Sequence, residues 1–168
     1  AYSDPLTGLP NRFTLEDRAG QAQLRSQRGD FSVSLLFIDL DRFKVVNDRY
    51  GHRAGDDLLR EVGRRIGDVL RRTDTVARVG GDEFIVLLED DTGLGGAETV
   101  AEKILAALQE PFALPSGVTA RVGASLGVAR CQPHSEDSPD IPAIIAAADN
   151  AMYAAKAAGG NRYRIARI

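Results

Sequence analysis

Thr75-Val76-Ala77-Arg78-Val79-Gly80-Gly81-Asp82-Glu83-Phe84-Ile85-Val86-Leu87-Leu88 is the stretch on which the fold turns. Two runs rich in apolar residues flank Gly80-Gly81, so the spacing predicts a hairpin with Thr75–Val79 and Phe84–Leu88 as strands and the glycine pair as a two-residue loop. Asp82 and Glu83 then stand side by side at the hairpin tip. Adjacent carboxylates at a bend repel each other, and a divalent cation relieves that repulsion. Taken alone, the same residues read as a solvated acidic turn, and a third acid upstream shifts the balance.

That acid is Asp39, which follows Val33-Ser34-Leu35-Leu36-Phe37-Ile38, a run expected to be a strand buried on both faces. Asp39 marks the carboxyl end of this strand, where open α/β sheets place their ligands. The plainer alternative is that Asp39 or Asp41 caps the following helix.

Phe37-Ile38-Asp39-Leu40-Asp41-Arg42-Phe43-Lys44-Val45-Val46-Asn47-Asp48, then Gly51-His52, Gly55-Asp56 and the Gly80–Phe84 turn, closely resemble the GGDEF domain of diguanylate cyclases. Asp4-Pro5-Leu6-Thr7-Gly8-Leu9-Pro10-Asn11-Arg12 and Ala148-Asp149-Asn150-Ala151-Met152-Tyr153-Ala154-Ala155-Lys156 are similar to the opening and closing motifs of that family. The resemblance covers nearly the whole chain, and residues 1–168 are expected to form a single domain of this kind. Because the chain opens directly on these motifs, it is also expected to be a piece of a longer signalling protein whose regulatory module lies elsewhere.

Composition agrees with one enzyme-sized domain: 168 residues, 43% of them hydrophobic. A net charge of −3 gives no general attraction to nucleic acid or anionic membrane, so phosphate ligands must be held by local groups. The single cysteine, Cys131, allows neither an intrachain disulfide nor a cysteine metal cluster and is expected to be buried or incidental. A cytoplasmic domain, from a parent that can itself be membrane-anchored, fits this pattern.

Helices are predicted over Phe13–Arg28, Asp56–Arg71, Glu98–Gln109 and Ile141–Ala158, from apolar residues recurring at three- and four-residue steps and from glycines after their ends. Strands are predicted over Pro111–Leu114, Val118–Ala129 and Arg162–Ile165, with a turn at Pro115-Ser116-Gly117 and a polar loop over Gln132–Pro139. The mixture implies an α/β (α+β) sandwich with a mixed, mainly antiparallel central sheet flanked by helices. The resemblance narrows this to the fold of nucleotidyl cyclases and polymerase palm domains.

The resemblance further implies condensation of two GTP molecules into cyclic di-GMP with release of two pyrophosphates. Asp39, the Leu40 carbonyl, Asp82 and Glu83 would hold Mg²⁺ (or Mn²⁺), two ions per active site, and Asp82 or Glu83 would be the base for the attacking 3′-hydroxyl. Asn47 and Asp56 match the guanine-reading positions, where an amide and a carboxylate complement that base's edge; His52 would shape the same pocket. Asp56 could equally serve as a cap or first-turn acid of the Leu58 helix. Phosphate contacts would come from the backbone around Phe43 and Lys44 and from Lys156, which could otherwise simply complement a helix C-terminus. Many family members carry Arg where this chain has Gly160, so one phosphate contact is lost or is supplied by Arg162.

Arg71-Arg72-Thr73-Asp74 matches the inhibitory Arg-x-x-Asp motif of the family, which implies product feedback at Arg71 and Asp74; as a bare pattern it is a helix end followed by an acid. Implied partners are GTP, cyclic di-GMP, a second copy of the chain and the remainder of the parent protein, with no nucleic acid. No phosphate-binding Gly-x-x-x-x-Gly-Lys-Ser/Thr loop is present, and neither Gly93–Gly96 nor His134 carries a ligand pattern. A function of another class, a non-catalytic GTP or cyclic di-GMP sensor governing an attached domain, is opposed by the presence of Asp39, Asp82 and Glu83.

Overall fold

Apolar strands that are buried on both sides organise the chain. The computed structural model describes residues 1–29, 31–89, 96–131 and 139–167. Asp30, most of the loop expected over Gln132–Pro139 with its His134, and Gly93–Gly95 of the glycine-rich turn lie outside the described residues. The elements are α1 (Arg12–Arg28), β1 (Val33–Asp41), α2 (Phe43–Tyr50), α3 (His52–Val69), β2 (Thr75–Arg78), β3 (Glu83–Glu89), α4 (Ala97–Gln109), β4 (Phe112–Ala113), β5 (Thr119–Ala120), β6 (Gly123–Cys131), α5 (Ile141–Ala157) and β7 (Arg162–Ile165).

Five strands form the central sheet in the order β2-β3-β1-β6-β7, and β4 pairs with β5 in a separate two-stranded ribbon. All central pairings are antiparallel except β6 with β7, so the sheet is mixed and mainly antiparallel, as expected. β1 is the middle strand. Its Leu36, Ile38 and Leu40 face a core filled from α3 and α4 by Leu58, Val62, Ile66, Ile104 and Leu108. Its Val33, Leu35 and Phe37 face a second core filled from α1 and α5 by Leu15, Ile144, Ile145 and Met152. Period-two alternation with both faces apolar explains why this segment reads as a continuous hydrophobic run.

Several boundaries differ from the sequence expectation for local physical reasons. β1 runs on to Asp41, because β6 continues pairing as far as Asp41 opposite Gly123; Asp39 is therefore inside the strand rather than at its end. The stretch expected as one strand over Val118–Ala129 divides into β5 and β6, which belong to different sheets. α3 starts at His52, four residues before Asp56, because Gly51 takes φ 93° and lets the chain leave α2 and re-enter a helix at once. At its other end the helix stops at Val69, and Arg71 is drawn into a turn closed by the Asp74 N–H on its carbonyl. Asp56 therefore caps nothing.

Cys131 is buried, as expected, and burial pushes its thiol up to about 11. Among the described residues, no helix is long and apolar enough to cross a membrane.

Candidate active site

The sheet itself delivers the acids. In the β1–β3 pairing Asp39 lies directly opposite Glu83, and the Leu40 N–H donates to the Asp82 carbonyl at 3.2 Å, which fixes the hairpin tip to the end of β1. The hairpin is wider than a two-residue loop. β2 ends at Arg78, β3 begins at Glu83, and the Val79 N–H closes the connection on the Glu83 carbonyl at 3.0 Å. Neither Gly80 nor Gly81 has a positive φ. The requirement at Gly80 is for room, since a Cβ there would stand against the Glu83 carboxylate.

Asp39 and Asp82 come together, and Glu83 adds its charge from its position over Gly80. Burial, then the charge of Asp39, raises the pKa of Asp82 above the ordinary carboxylate value. Burial, then Asp39, Asp149 and Asp82, raises that of Glu83, with Arg12 acting in the opposite direction. One Asp39 oxygen, Oδ1, is buried without a hydrogen-bond partner, while Oδ2 meets the Lys156 ammonium at 3.0 Å. Among the described residues, no three carboxylate, histidine or cysteine side chains stand close enough to hold a metal ion as they are placed, in keeping with the Glu83 carboxylate folding back toward Gly80. By chemistry the residues suit a hard divalent cation: oxygen donors, an unsatisfied buried carboxylate oxygen, and acids whose repulsion a cation would relieve.

Asp41 caps nothing either. The N-cap of α2 is Arg42, in the left-handed conformation and with no side-chain cap bond, so the first-turn N–H groups at Phe43 and Lys44 have no such partner. The Asp41 carboxylate instead accepts from the Ser125 hydroxyl and the Asn161 N–H, both at 2.8 Å, and lies 3.9 Å from Lys156 Nζ. Lys156 thus bridges two acids of β1 from α5, rather than serving only the helix end.

Asn47, near the end of α2, has a buried Oδ1 without a partner. A Cβ at Gly55 would fall on that oxygen and close to the Phe43 ring, so glycine is what lets α2 and α3 meet here. Asp56 is the next residue on α3 and is exposed, and His52 is exposed at the helix start. Asn47, His52 and Asp56 therefore gather at the α2–α3 junction, where the Phe43 ring also lies close to Gly55.

Arg71 and Asp74 sit apart from this group. The Asp74 side chain has 0% exposure. It accepts from the Arg71 N–H at 3.0 Å and the Glu89 N–H at 3.3 Å, while Arg71 also donates to the Glu89 carbonyl at 2.8 Å. Asp74 thus holds Arg71 against the end of β3.

Two contributors escaped the sequence reading. Arg78 donates to the Gly81 carbonyl at 2.9 and 3.2 Å and to Asp4 at 2.9 Å, joining the hairpin tip to the first turn of the chain. Asp4 in turn accepts from the Thr7 N–H and hydroxyl at 2.8 and 2.7 Å. Although burial opposes it, these Thr7 bonds and then Arg78 lower the Asp4 pKa. The available signal was a charged residue inside an otherwise apolar strand, two positions before Gly80. Ser125, a buried hydroxyl on β6 facing Asp41, is the second, and nothing in its sequence context marks it.

The family pattern described as "Diguanylate cyclase, GGDEF domain" matches residues 1–162. The bifunctional diguanylate cyclase/cyclic di-GMP phosphodiesterase MucR of Pseudomonas aeruginosa is 44% identical over 163 residues, covering 97% of this chain and 23% of that protein. Diguanylate cyclase TpbB of the same species is 40% identical over 168 residues, covering 100% of this chain and 38% of that protein. A solved form of TpbB comprising only the GGDEF domain superposes with a TM-score of 0.89, covering 98% of this chain and 94% of that one. The GGDEF domain of DgcB from Caulobacter crescentus, solved in complex with c-di-GMP, is 29% identical with a TM-score of 0.85, covering 98% and 95%. The chain thus spans well under half the length of these two curated relatives, while its mixed five-stranded sheet is the nucleotidyl cyclase fold of the solved domains.

Proposed function

The chain belongs to the GGDEF family of diguanylate cyclase domains, and from that premise we propose that it condenses two GTP molecules into cyclic di-GMP. The observation that supports this best is the register of β1 on β3, which sets Asp39 opposite Glu83 with Asp82 beside them and Lys156 paired to Asp39. Each half-reaction joins a 3′-oxygen of one GTP to the α-phosphorus of the other. The bond from that phosphorus to the bridging oxygen breaks, pyrophosphate leaves, and the hydroxyl proton passes to a base. Asp82 and Glu83 are the candidates, since both carboxylates lie at the hairpin tip and burial with acidic neighbours raises their proton affinity.

Asp39, Asp82, Glu83 and the Leu40 carbonyl would hold Mg²⁺ or Mn²⁺, two ions per site. The bound metal would supply charge neutralisation at the phosphates and a lowered pKa of the attacking hydroxyl. The chain's own contribution is placement. Asn47 and Asp56 hold the guanine edge, with His52 at the rim, Phe43 and Lys44 present α2 N–H groups to the phosphates, and Lys156 adds its ammonium.

One such site holds one GTP, yet the product needs two α-phosphates and two 3′-hydroxyls. Two copies must therefore face each other in a C2 arrangement, each completing the site of the other. Product feedback would act at Arg71, whose guanidinium Asp74 holds in place from inside the fold. That the chain matches only 23% and 38% of two curated relatives supports its being a domain of a longer signalling chain, and the availability of GTP in the cytoplasm supports a cytoplasmic one.

The test is incubation with GTP or ATP and Mg²⁺, with products identified by mass. Cyclic di-GMP from GTP, with ATP incorporated poorly, is expected. Equal use of ATP would break the assignment of Asn47 and Asp56. Binding of GTP without any product would favour a sensor module instead.

A further inference from the structure

The two edges of the central sheet differ. At the β2 edge the chain meets its own strand: the Arg78 N–H turns outward and donates to the Pro10 carbonyl at 3.1 Å. At the other edge β7 pairs with β6 alone, and among the described residues no strand joins its outer side. The ladder shows which backbone groups are free there. β6 and β7 run parallel, with Ser125 opposite Arg162 and Val128 opposite Ile165, and the Ala166 N–H donates to the Val128 carbonyl at 2.7 Å. Along a parallel strand the peptide groups of successive residues alternate between its two sides. Arg162, Arg164 and Ala166 therefore turn theirs toward β6, and Tyr163 and Ile165 turn theirs outward. The Tyr163 carbonyl is covered by the Arg164 guanidinium, at a long 3.4 Å.

A groove of about 560 Å³ runs along this edge, lined by Leu105 of α4, Asn161 and the four residues of β7. Its two rims carry different chemistry. On the α4 side Leu105 and Tyr163 pack on the core, Ile165 shares their face by period two and is 57% exposed, and the Tyr163 hydroxyl lies 3.5 Å from Glu102. On the opposite face stand Arg162 and Arg164, both exposed. Among the described residues neither meets an acid; the Arg162 Nε donates at 2.9 Å to the Gly160 carbonyl and Arg164 reaches only its neighbour's.

These rims select the occupant. A second copy is opposed, since β7 against its own image would bring arginines of the same face together, a device that keeps sheet edges from pairing with themselves. We infer that the outer edge of β7 is a docking site for an extended acidic segment of a partner polypeptide, which adds a strand to the central sheet. Tyr163 and Ile165 donate their N–H groups to the incoming backbone and accept from it. Acids at alternate positions of that segment meet Arg162 and Arg164, and the apolar side chains between them lie on Leu105 and Ile165, where Glu102 repels an acid. The docked strand lies beside Asn161, whose N–H holds Asp41 at 2.8 Å, and so borders the turn that fixes the β1 acids.

Amide hydrogen exchange followed by NMR tests this on the unaltered chain, with and without a capped peptide alternating glutamate and valine. The Tyr163 and Ile165 amides should exchange readily in the chain alone and slow about tenfold at a peptide concentration about ten times its Kd, whereas Ala166 should be protected throughout. In calorimetry, Arg164→Glu should weaken the peptide about tenfold and should bind a lysine-valine peptide that the wild type rejects. Thermal unfolding checks that this exposed substitution leaves the fold intact, and the exchange pattern of the unaltered chain decides the question if it does not. A peptide that fails to bind, that binds without slowing Tyr163 and Ile165, or that the wild type accepts equally with lysine in place of glutamate would overturn the proposal.

Discussion

The acid-bearing turns at Asp74 and Asp4 differ from the hairpin at Asp82-Glu83 in what surrounds the carboxylates. At Asp74 every carboxylate contact is internal: Arg71 and the Glu89 N–H surround a side chain with no exposure. Asp4 is similar, held by Thr7 and Arg78 with its pKa lowered. At the hairpin, Asp82 and Glu83 face another acid across the sheet, and burial and mutual charge raise their pKa values. An acid surrounded by donors stabilises the fold, whereas acids facing each other store repulsion that only a cation or a proton removes.

The largest expected difference between the two regions is in activity. Replacing Asp39 with Asn, Asp82 with Asn or Glu83 with Gln should lower turnover by about 10²-fold or more while far-UV circular dichroism stays native, on the scale of electrostatic catalysis. Near wild-type turnover of Asp39→Asn would remove the cluster from the mechanism. Asp74→Ala should do the reverse at the other turn. It removes the carboxylate that accepts from the Arg71 and Glu89 N–H groups and should cost about 1–3 kcal/mol in denaturant unfolding.

Asp4 and the hairpin acids should also separate in pH. Folded values raised above 3.8 and 4.5 mean that Asp82 and Glu83 favour the fold while protonated and lose that contribution as pH rises through their folded values. An Asp82→Asn/Glu83→Gln double variant should therefore unfold at a higher temperature than wild type at pH 7, the gain vanishing below about pH 3.8. Asp4 runs the other way: its contribution is present above 3.8 and is lost as pH falls through its lowered value. An Asp4→Ala variant should accordingly be less stable at pH 7 and approach wild type in acid. Identical pH profiles for the two variants would erase the distinction.

The smallest effect concerns product feedback. Arg71→Ala should weaken cyclic di-GMP binding measured by calorimetry, and unchanged affinity would leave Arg71 and Asp74 with a structural role alone.

Much of the candidate site was legible because it is written in contiguous residue types. Runs such as Val33–Ile38 and Phe84–Leu88 announce buried strands, and acids placed next to them stand out. What sequence did not show depends on contacts between distant segments. Asp41 reads as a cap until Asn161 and Ser125 claim its carboxylate from 120 and 84 residues away. The Gly80-Gly81 pair reads as a tight loop, whereas the side chain of Glu83 crowds Gly80 alone and Gly81 has open space beside it. The split of Val118–Ala129 into two sheets follows from pairing with β1, which no local pattern records.

The central claim, that this domain carries half of a cyclase site, is tested most directly by cyclic di-GMP formed per chain across a dilution series. Product is to be identified by mass, association followed by light scattering, and the series repeated with a dimeric coiled coil fused before Asp4. Turnover per chain should climb with concentration in the unfused chain, and in the fusion should be higher and constant. Turnover that stays flat in a sample shown to be monomeric throughout would contradict it.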